Sequence, residues 1–151
     1  MRLKRSHTLT DWDPEDVDAW NNGGSAIARR NLIWSVVAEH VGFSVWSLWS
    51  VMVLFMPTDV YGVSLGDKFL IGAVATLSGS LLRLPYTMAT TRFGGRNWTI
   101  FSAVVLIVPV VATIVLLANP GQPLWMYLVV ATLTGVGGGN FASSMTNINA
   151  F

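Results

Sequence analysis

The segment Phe69–Thr91, FLIGAVATLSGSLLRLPYTMATT, contains one charged residue, Arg83, in a run that is otherwise apolar or weakly polar. A helix of about 20 such residues is long enough to cross the hydrocarbon core of a bilayer. An arginine keeps its proton in a protein, and it costs about 2.5–3.5 kcal/mol at the centre of a spanning helix. Such a residue usually faces a polar cavity or an anion. We therefore interpret the segment as a spanning helix of a transporter for an anionic solute.

The composition of the whole chain indicates a membrane protein. Charged residues make up 11% of the sequence and apolar residues 52%, whereas soluble domains carry about 25% charged residues. No Asp, Glu, Lys or Arg follows Arg96 through Phe151. Four apolar runs predict an all-α integral membrane protein with four transmembrane helices, at about 32–56, 69–91, 98–118 and 124–148. Residues 1–30 are polar and are predicted to form an N-terminal arm.

The distribution of Lys and Arg predicts how the chain is oriented, because cytoplasmic loops are enriched in these residues. Lys68 is alone in the first loop, and the third loop has neither Lys nor Arg. The other basic residues, apart from Arg83, precede the first span or follow the second: Arg2, Lys4, Arg5, Arg29, Arg30, Arg92 and Arg96. We predict a multi-pass protein of the cell (inner or plasma) membrane with a cytoplasmic N-terminus. The net charge of +1 gives no indication of nucleic-acid binding.

The second predicted helix carries a polar stripe. Steps of three and four residues place side chains on one helical face, and the polar residues that follow these steps are Thr76, Ser80, Arg83, Thr87 and Thr90, with Tyr86 beside them. A guanidinium is a planar fork of donors that suits a planar oxyanion. The alternative is a structural role, or a side chain that reaches the cytoplasmic surface. Arg83 precedes Arg92 by about 13 Å of helix, which is a long distance for its side chain to span to the cytoplasmic surface.

The fourth predicted helix is rich in small residues. Gly135, Gly139, Ser143 and Asn147 recur every four residues, so they share one face. Such a face lets another helix approach closely, and we predict that role for the two glycines. Asn140, Ser144 and Asn147 either line a transport path or pack against other helices.

Glu39 and His40 are ionisable residues in the first predicted helix. Ionisable groups within a membrane span are candidates for function, and here for proton coupling. Both residues lie near the predicted cytoplasmic end, where water also reaches them. The sequence has no cysteine and shows no Ser-His-Asp set, carboxylate pair or metal cluster. We therefore predict neither an enzyme nor a cofactor.

Three passages resemble a known family. They are WDPEDVDAW (12–20) with IARRNLIWSVVAEHVGFSVWSLWS (27–50), SGSLLRLPYTMATTRFGGRNWT (78–99) and GVGGGNFASSMTNI (135–148). In these passages the chain resembles the amino-terminal third of the nitrate/nitrite porter family of the major facilitator superfamily. The resemblance covers nearly the whole chain. It implies a fold that forms part of an amino-terminal half of such a transporter.

The resemblance implies roles for particular residues. Arg83 stands where the family has the arginine that binds the substrate anion, and we group Tyr86, Thr87 and Asn140 with it as candidate substrate-binding residues. The loop after the second helix resembles the superfamily motif Asp-Arg-x-Gly-x-Arg, which implies a gating loop. Its matching residues are Arg92, Phe93, Gly94 and Arg96, and Thr91 stands at the position of the aspartate. The family's second arginine comes from the carboxyl half, which lies outside this chain.

The resemblance therefore implies transport of nitrate and nitrite by alternating access. The chain would be a truncated product or fragment, inactive without the missing carboxyl-terminal helices or a complementary chain. Exchange of the two anions and proton coupling both remain open. Two alternatives treat the four helices as a complete unit in the bilayer. One is a homodimeric small-solute exporter that uses Glu39 as its coupling carboxylate, and the other is an assembly subunit that uses the glycine face of the fourth helix.

Overall fold

The computed structural model describes residue 13 and residues 15–148 of the chain. Part of the predicted N-terminal arm, residues 1–12 and residue 14, therefore lies outside the described residues. Within the described part of the arm, the short helix α1 (Val17–Ala19) begins at Asp16, whose carboxylate accepts a hydrogen bond from the backbone N–H of Ala19 at 2.9 Å. The chain then turns through Trp20–Gly24, where Gly23 adopts a φ of 121° that strongly favours glycine.

Helix α2 (Ser25–Met52) begins earlier than the first span predicted from hydropathy and includes part of the predicted arm. A 3₁₀ turn, Val53–Phe55, continues it up to the extended residue before Pro57. The short helix α3 (Thr58–Tyr61) follows and ends at Gly62, which has a φ of 68°. Hydropathy detects the apolar part of a helix, whereas helical backbone geometry also continues into polar flanks, which explains the longer helix.

Helix α4 (Leu65–Phe93) contains Arg83 and extends beyond its predicted span at both ends. A capping box fixes its start, because the Ser64 hydroxyl accepts from the N–H of Asp67 and the Asp67 carboxylate accepts from the N–H of Ser64. Gly94, with a φ of 80°, separates α4 from α5 (Gly95–Val105). The predicted loop after the second span is therefore a single-residue turn.

Helices α5 and α6 (Ile107–Ala118) together form the third long helical segment, interrupted only at Leu106. Pro109 explains the interruption, since a proline cannot donate to the carbonyl four residues earlier and its ring clashes with that carbonyl. After the turn Asn119–Pro123, in which Gly121 has a φ of 81°, helix α7 (Leu124–Ile148) completes the described chain.

Helix α7 is the centre of the structure. It packs against α2, α4, α5 and α6, and its longest contact is with α4. At the end of the molecule where α7 begins, an apolar core is formed by Trp49, Val53, Met56, Val63, Ile71, Ala75, Leu116, Tyr127 and Ala131. Towards the other end of α7 the buried side chains are small and polar, namely Thr134, Asn140, Ser143 and Ser144. The core therefore changes from apolar to polar along this helix.

The outer surface is strongly apolar. Phe69 is 80% exposed and Leu84 is 72% exposed, a pattern that fits lipid rather than water around the helices. Four helical segments are long and apolar enough to cross a membrane: Val17–Phe55, Leu65–Phe93, Gly95–Ala118 and Leu124–Thr146. The described residues contain no β-strand. The predicted all-α membrane fold with four spanning helices is thus confirmed.

Candidate functional site

Arg83 lies between two aromatic side chains from neighbouring helices. Its guanidinium carbon is 5.4 Å from the ring centre of Trp46 on α2 and 5.3 Å from that of Phe141 on α7. Both distances are within the range of cation–π attraction. The Nε atom of Arg83 is buried and has no hydrogen-bond partner among the described residues. The guanidinium thus lies beside two aromatic rings, and its buried Nε–H is free to donate a hydrogen bond to a ligand.

Phe43 contacts both of these aromatic rings. Its ring centre is 5.4 Å from that of Trp46 and 5.8 Å from that of Phe141, and it meets Phe141 edge-on. Three aromatic side chains from two helices therefore form one cluster beside the guanidinium. These rings replace part of the water around the guanidinium, and a charged group interacts more strongly where the local dielectric is lower.

The Trp46 side chain is held by contacts with both α4 and α7. Its indole Nε1–H donates to the carbonyl of Ala75 on α4 at 2.9 Å. The ring also lies directly against Gly79 on α4 and Gly138 on α7, where no side chain separates it from the backbone. A fixed indole gives Arg83 a defined direction, which is what a binding site for a small anion requires.

Glu39 contributes the acidic group of this region. Both of its carboxylate oxygens are buried, and neither has a hydrogen-bond partner among the described residues. Ser144 on α7 and Arg83 on α4 are polar neighbours of this carboxylate. His40 differs, because its side chain is exposed. The two adjacent ionisable residues therefore face different surroundings.

Asn140 lies beside Phe141 on α7 and is 5% exposed. Its side-chain oxygen is buried without a hydrogen-bond partner. A Cβ at Gly42 of α2 would lie 3.0 Å from the Asn140 amide nitrogen, so α2 contacts this side chain closely. Asn140 thus places an unsatisfied acceptor on the same helix as one of the Arg83 rings.

The other predicted members of the stripe on α4 lie mostly at its exposed edge. The hydroxyls of Thr76, Ser80 and Thr87 donate to carbonyls of their own helix, at 2.9, 3.0 and 2.9 Å. All three side chains are exposed, whereas Thr90 is buried and donates to the carbonyl of Tyr86. Such bonds back to the helix satisfy hydroxyls that have no other partner. The role of Thr87 in substrate binding stays a prediction.

Tyr86 is turned towards a different neighbour. Its ring is 6% exposed and packs edge-on against Trp98 of α5, with the ring centres 5.0 Å apart. The hydroxyl is near Ser102 on the same helix. Tyr86 thus lies between α4, α5 and α7, and its predicted contact with substrate remains a prediction.

The predicted gating residues lie at the turn between α4 and α5. Arg92 and Arg96 are exposed, and the guanidinium carbon of Arg92 is 5.9 Å from the ring centre of Phe93. Gly94 supplies the left-handed backbone that the turn needs. The hydroxyl of Thr91 donates to the carbonyl of Met88 on its own helix. The gating role of these residues stays a prediction.

The glycines of α7 lie at its contacts with two other helices. A Cβ at Gly135 would lie 2.7 Å from the backbone nitrogen of Gly79, and one at Gly139 would lie 2.9 Å from the Tyr86 ring. Gly137 meets the carbonyl of Gly42 on α2. The buried hydroxyl of Ser143 donates to the carbonyl of Asn140. These glycines bring α7 into backbone contact with α2 and α4.

Sequence reasoning did not place Phe141 or Gly137 and Gly138 in the site. Phe141 has no polar or ionisable group to attract notice, and only its position after Asn140 on a small-residue helix gives a signal. Trp46 and Phe43 are likewise not among the site residues predicted from the sequence. Their spacing of three residues on one face is the feature that would have paired them.

Comparison with known proteins gives consistent matches, although no family model matches the chain. The chain is 41% identical over 145 residues to the "Nitrate/nitrite transporter NarU" of Escherichia coli, which covers 96% of this chain and 31% of that protein. It is 31% identical over 151 residues to the "Probable nitrate/nitrite antiporter NarK2" of Thermus thermophilus, covering 100% of this chain and 33% of that one. The "Nitrite extrusion protein" of Bacillus subtilis matches at 30% over 107 residues, or 71% of this chain.

Over nearly its whole length, this chain is 31–41% identical to transporters of the nitrate/nitrite porter family. The resemblance predicted from the three passages is thereby confirmed. The chain spans about a third of the length of these relatives. The relatives carry the names of transporters or antiporters of nitrate and nitrite.

Proposed function

We propose that this chain forms part of a multi-pass transporter for nitrate and nitrite in the cell membrane, and that Arg83 binds the anion. The single observation that carries the proposal is the state of Arg83. It is a permanently charged side chain in an apolar helix, between two aromatic rings, with a buried Nε that no described residue accepts from. Groups left unsatisfied in this way are costly unless a ligand completes them.

Nitrate and nitrite fit the donors that Arg83 offers. Both are small planar anions with oxygen acceptors, and a guanidinium can donate two parallel hydrogen bonds to such a group. The Trp46 and Phe141 rings beside the guanidinium offer flat apolar surfaces that suit a flat ligand. Asn140 is our candidate for a second contact on α7, and Tyr86 and Thr87 for further contacts on α4.

We also propose that these four helices transport only together with further helices. The hydroxyls of Thr76, Ser80 and Thr87 are exposed on the face of α4 that also carries Arg83. Arg83 itself is only half-buried by these helices, and an ionisable side chain that faces lipid is unfavourable. A second group of helices would therefore cover this edge and form the other wall of a path. Alternating access between two such groups is the mechanism that this arrangement supports.

A chimera tests the function directly. The 145-residue segment of the E. coli relative that matches this chain is replaced with it, and the purified chimera is reconstituted into liposomes. We expect uptake of labelled nitrate, inhibition by nitrite, and no uptake by the 151-residue chain alone. A chimera that is monodisperse but moves neither anion would contradict the function. Nitrate uptake by the isolated chain would contradict the need for further helices.

The predicted cytoplasmic N-terminus can be tested because the chain has no cysteine of its own. A single introduced cysteine is then the only thiol, and a membrane-impermeant maleimide reports its side of the membrane. We expect Asp59→Cys, between α2 and α4, to react in intact cells, and Asn22→Cys to react only after permeabilisation. Both residues are exposed, so accessibility within the protein is matched. The reverse labelling pattern would show that the orientation is wrong.

A further inference from the structure

Arg29 and Arg30 form a basic pair near the start of α2 that the proposed anion site does not use. Both side chains are exposed. No Asp or Glu occurs in α2 before Glu39. Adjacent guanidinium groups with no acid next to them in the helix create a positive potential that attracts anions. The basic pair is therefore a candidate for a ligand of its own.

The basic pair borders two grooves. The larger groove has a volume of about 550 Å³ and is lined by Ser25, Ala26, Arg29, Arg30, Ile33 and Trp34. The second has a volume of about 440 Å³, and Arg29 lines it together with Trp20 of the arm and Ile148 at the end of α7. Among the described residues, neither lining includes an acid. Volumes of this size are typical of sites for small ligands.

An apolar track continues from the larger groove along the same face of α2. Steps of three and four residues lead from Arg30 through Ile33 and Trp34 to Val37 and Val41, so these side chains share a face. Ile33 is 51% exposed, Trp34 is 66% exposed, and both valines are exposed as well. The buried residues of α2 lie on a different face, namely Ser35, Gly42, Val45 and Trp49. The outward face thus has cations at one end, an indole next to them and aliphatic side chains beyond.

We propose that this face binds an anionic phospholipid, with the lipid phosphate at the basic pair and an acyl chain along Ile33, Val37 and Val41. A guanidinium can donate paired hydrogen bonds to the oxygens of a phosphate. Tryptophan favours the boundary between the lipid headgroups and the hydrocarbon, which is where Trp34 lies in this arrangement. The order of charge, indole and aliphatic residues along the helix matches the order of phosphate, glycerol backbone and acyl chain in the lipid.

A phospholipid fits this face better than a free phosphate ion does. A soluble anion would contact the two arginines but would leave the exposed Ile33 and Trp34 side chains uncovered. A lipid covers both parts of the surface, and its acyl chain stays in the hydrocarbon of the bilayer. The predicted orientation also places the basic pair at the cytoplasmic leaflet, where anionic lipids attract basic residues next to a spanning helix.

The test is lipid binding to the purified chimera, measured by native mass spectrometry with phosphatidylglycerol and phosphatidylcholine of the same chain length. Each basic residue at an anionic lipid surface contributes about fivefold in affinity. The double variant Arg29→Gln, Arg30→Gln should therefore bind phosphatidylglycerol at least about tenfold more weakly and bind phosphatidylcholine as before. Arg29→Lys, Arg30→Lys keeps both charges but loses the planar fork, so its affinity should lie between these two.

Two further variants separate a lipid site from a general attraction between charges. Trp34→Ala leaves every charge in place and should weaken phosphatidylglycerol binding several-fold, because the indole no longer covers part of the lipid. The double variant Arg92→Gln, Arg96→Gln also removes two exposed arginines on the same predicted side of the membrane, but neither residue lines a groove described here. It should bind phosphatidylglycerol within about twofold of the unmodified chimera, since exposed charges at a distance are screened.

Several outcomes would overturn the proposal. One is an unmodified chimera with no preference for phosphatidylglycerol, which includes the case in which further helices of the transporter cover this face. Another is an equal loss of binding in the two glutamine double variants, which would show only a general attraction to basic residues. Displacement of the lipid by inorganic phosphate, with unchanged binding in Trp34→Ala, would identify a site for a soluble anion instead.

The result for the lipid is independent of the proposed transport function. The basic pair and Trp34 are not part of the proposed anion site, so variants at these positions should bind nitrate as the unmodified chimera does. Nitrate binding, monodispersity and thermal unfolding of the same preparations confirm that each variant is folded. A chimera that binds phosphatidylglycerol at the basic pair but does not bind nitrate would leave this inference standing and contradict the proposed function.

Discussion

Arg83→Gln is expected to reduce nitrate uptake by the chimera about 100-fold or more. Glutamine occupies a similar length of side chain but removes the positive charge and the paired donors. Hydrogen bonds that involve a charged group contribute about 1.5–3 kcal/mol each, and a guanidinium can make two to one oxyanion. Loss of both bonds accounts for a change of that size. Uptake is measured in proteoliposomes at matched protein content.

Arg83→Lys separates charge from geometry. Lysine keeps the positive charge and can still interact with the Trp46 and Phe141 rings. It loses the planar fork, so we expect at least about a tenfold reduction, and mainly in anion binding. A lysine that merely replaced a structural cation would show near-normal uptake. Near-normal uptake by Arg83→Lys together with Arg83→Gln would show that Arg83 is not a ligand.

Lys68→Gln is the matched control for these variants. It removes a positive charge from the same helix, but Lys68 lies in the first turn of α4, far along the chain from the aromatic cluster. A general effect of charge on insertion or anion attraction would appear in both variants. We expect uptake by Lys68→Gln to stay within about twofold of the unmodified chimera, since screened surface charges have small effects.

The sequence was sufficient to predict the spanning helices and to single out Arg83 as a candidate for function. Long apolar runs identify spanning helices because the bilayer leaves few alternatives to a helix. The cost of an unpaired charge in such a run marks Arg83 without any knowledge of its neighbours. Both predictions depend on properties of one segment at a time, which explains why they could be made before the structure was known.

The partners of Arg83 could not be predicted in the same way. Trp46 and Phe141 are distant from it along the chain, and aromatic residues in a membrane protein have many equivalent positions against lipid or other helices. The polar stripe shows a related limit. Helical spacing correctly groups Thr76, Ser80 and Thr87 on one face, but it does not indicate which part of that face is covered. In the structure only Arg83 and Thr90 turn towards neighbouring helices.

The second large effect is expected for Gly79→Ala, which should prevent α2, α4 and α7 from packing as they do. A Cβ at this position would overlap the Trp46 indole, lying 2.9 Å from its Cδ1 and closer still to Nε1. The indole cannot move away easily, because it donates to the Ala75 carbonyl and rests on Gly138. Overpacking of this kind typically costs about 1–3 kcal/mol.

Gly79→Ala should weaken nitrate binding at Arg83 as well as lower the stability of the protein. Movement of Trp46 would withdraw one of the two rings beside Arg83 and break the bond to Ala75. We expect a lower thermal unfolding temperature in detergent, less monodisperse protein, and at least about tenfold weaker nitrate binding by the folded fraction. Size-exclusion chromatography and binding measurements on the same preparation separate the two effects.

Gly72→Ala provides the control within the same helix. No atom outside the local helix lies within 4 Å of a Cβ at Gly72, so the substitution adds a methyl group without a clash. Alanine is the better helix former by about 0.5–1 kcal/mol, and the variant should be as stable as the unmodified chain or slightly more so. If Gly79→Ala behaved like Gly72→Ala, close approach of the backbones at Gly79 would not be required. The packing of Trp46 between α4 and α7 would then not be what positions Arg83.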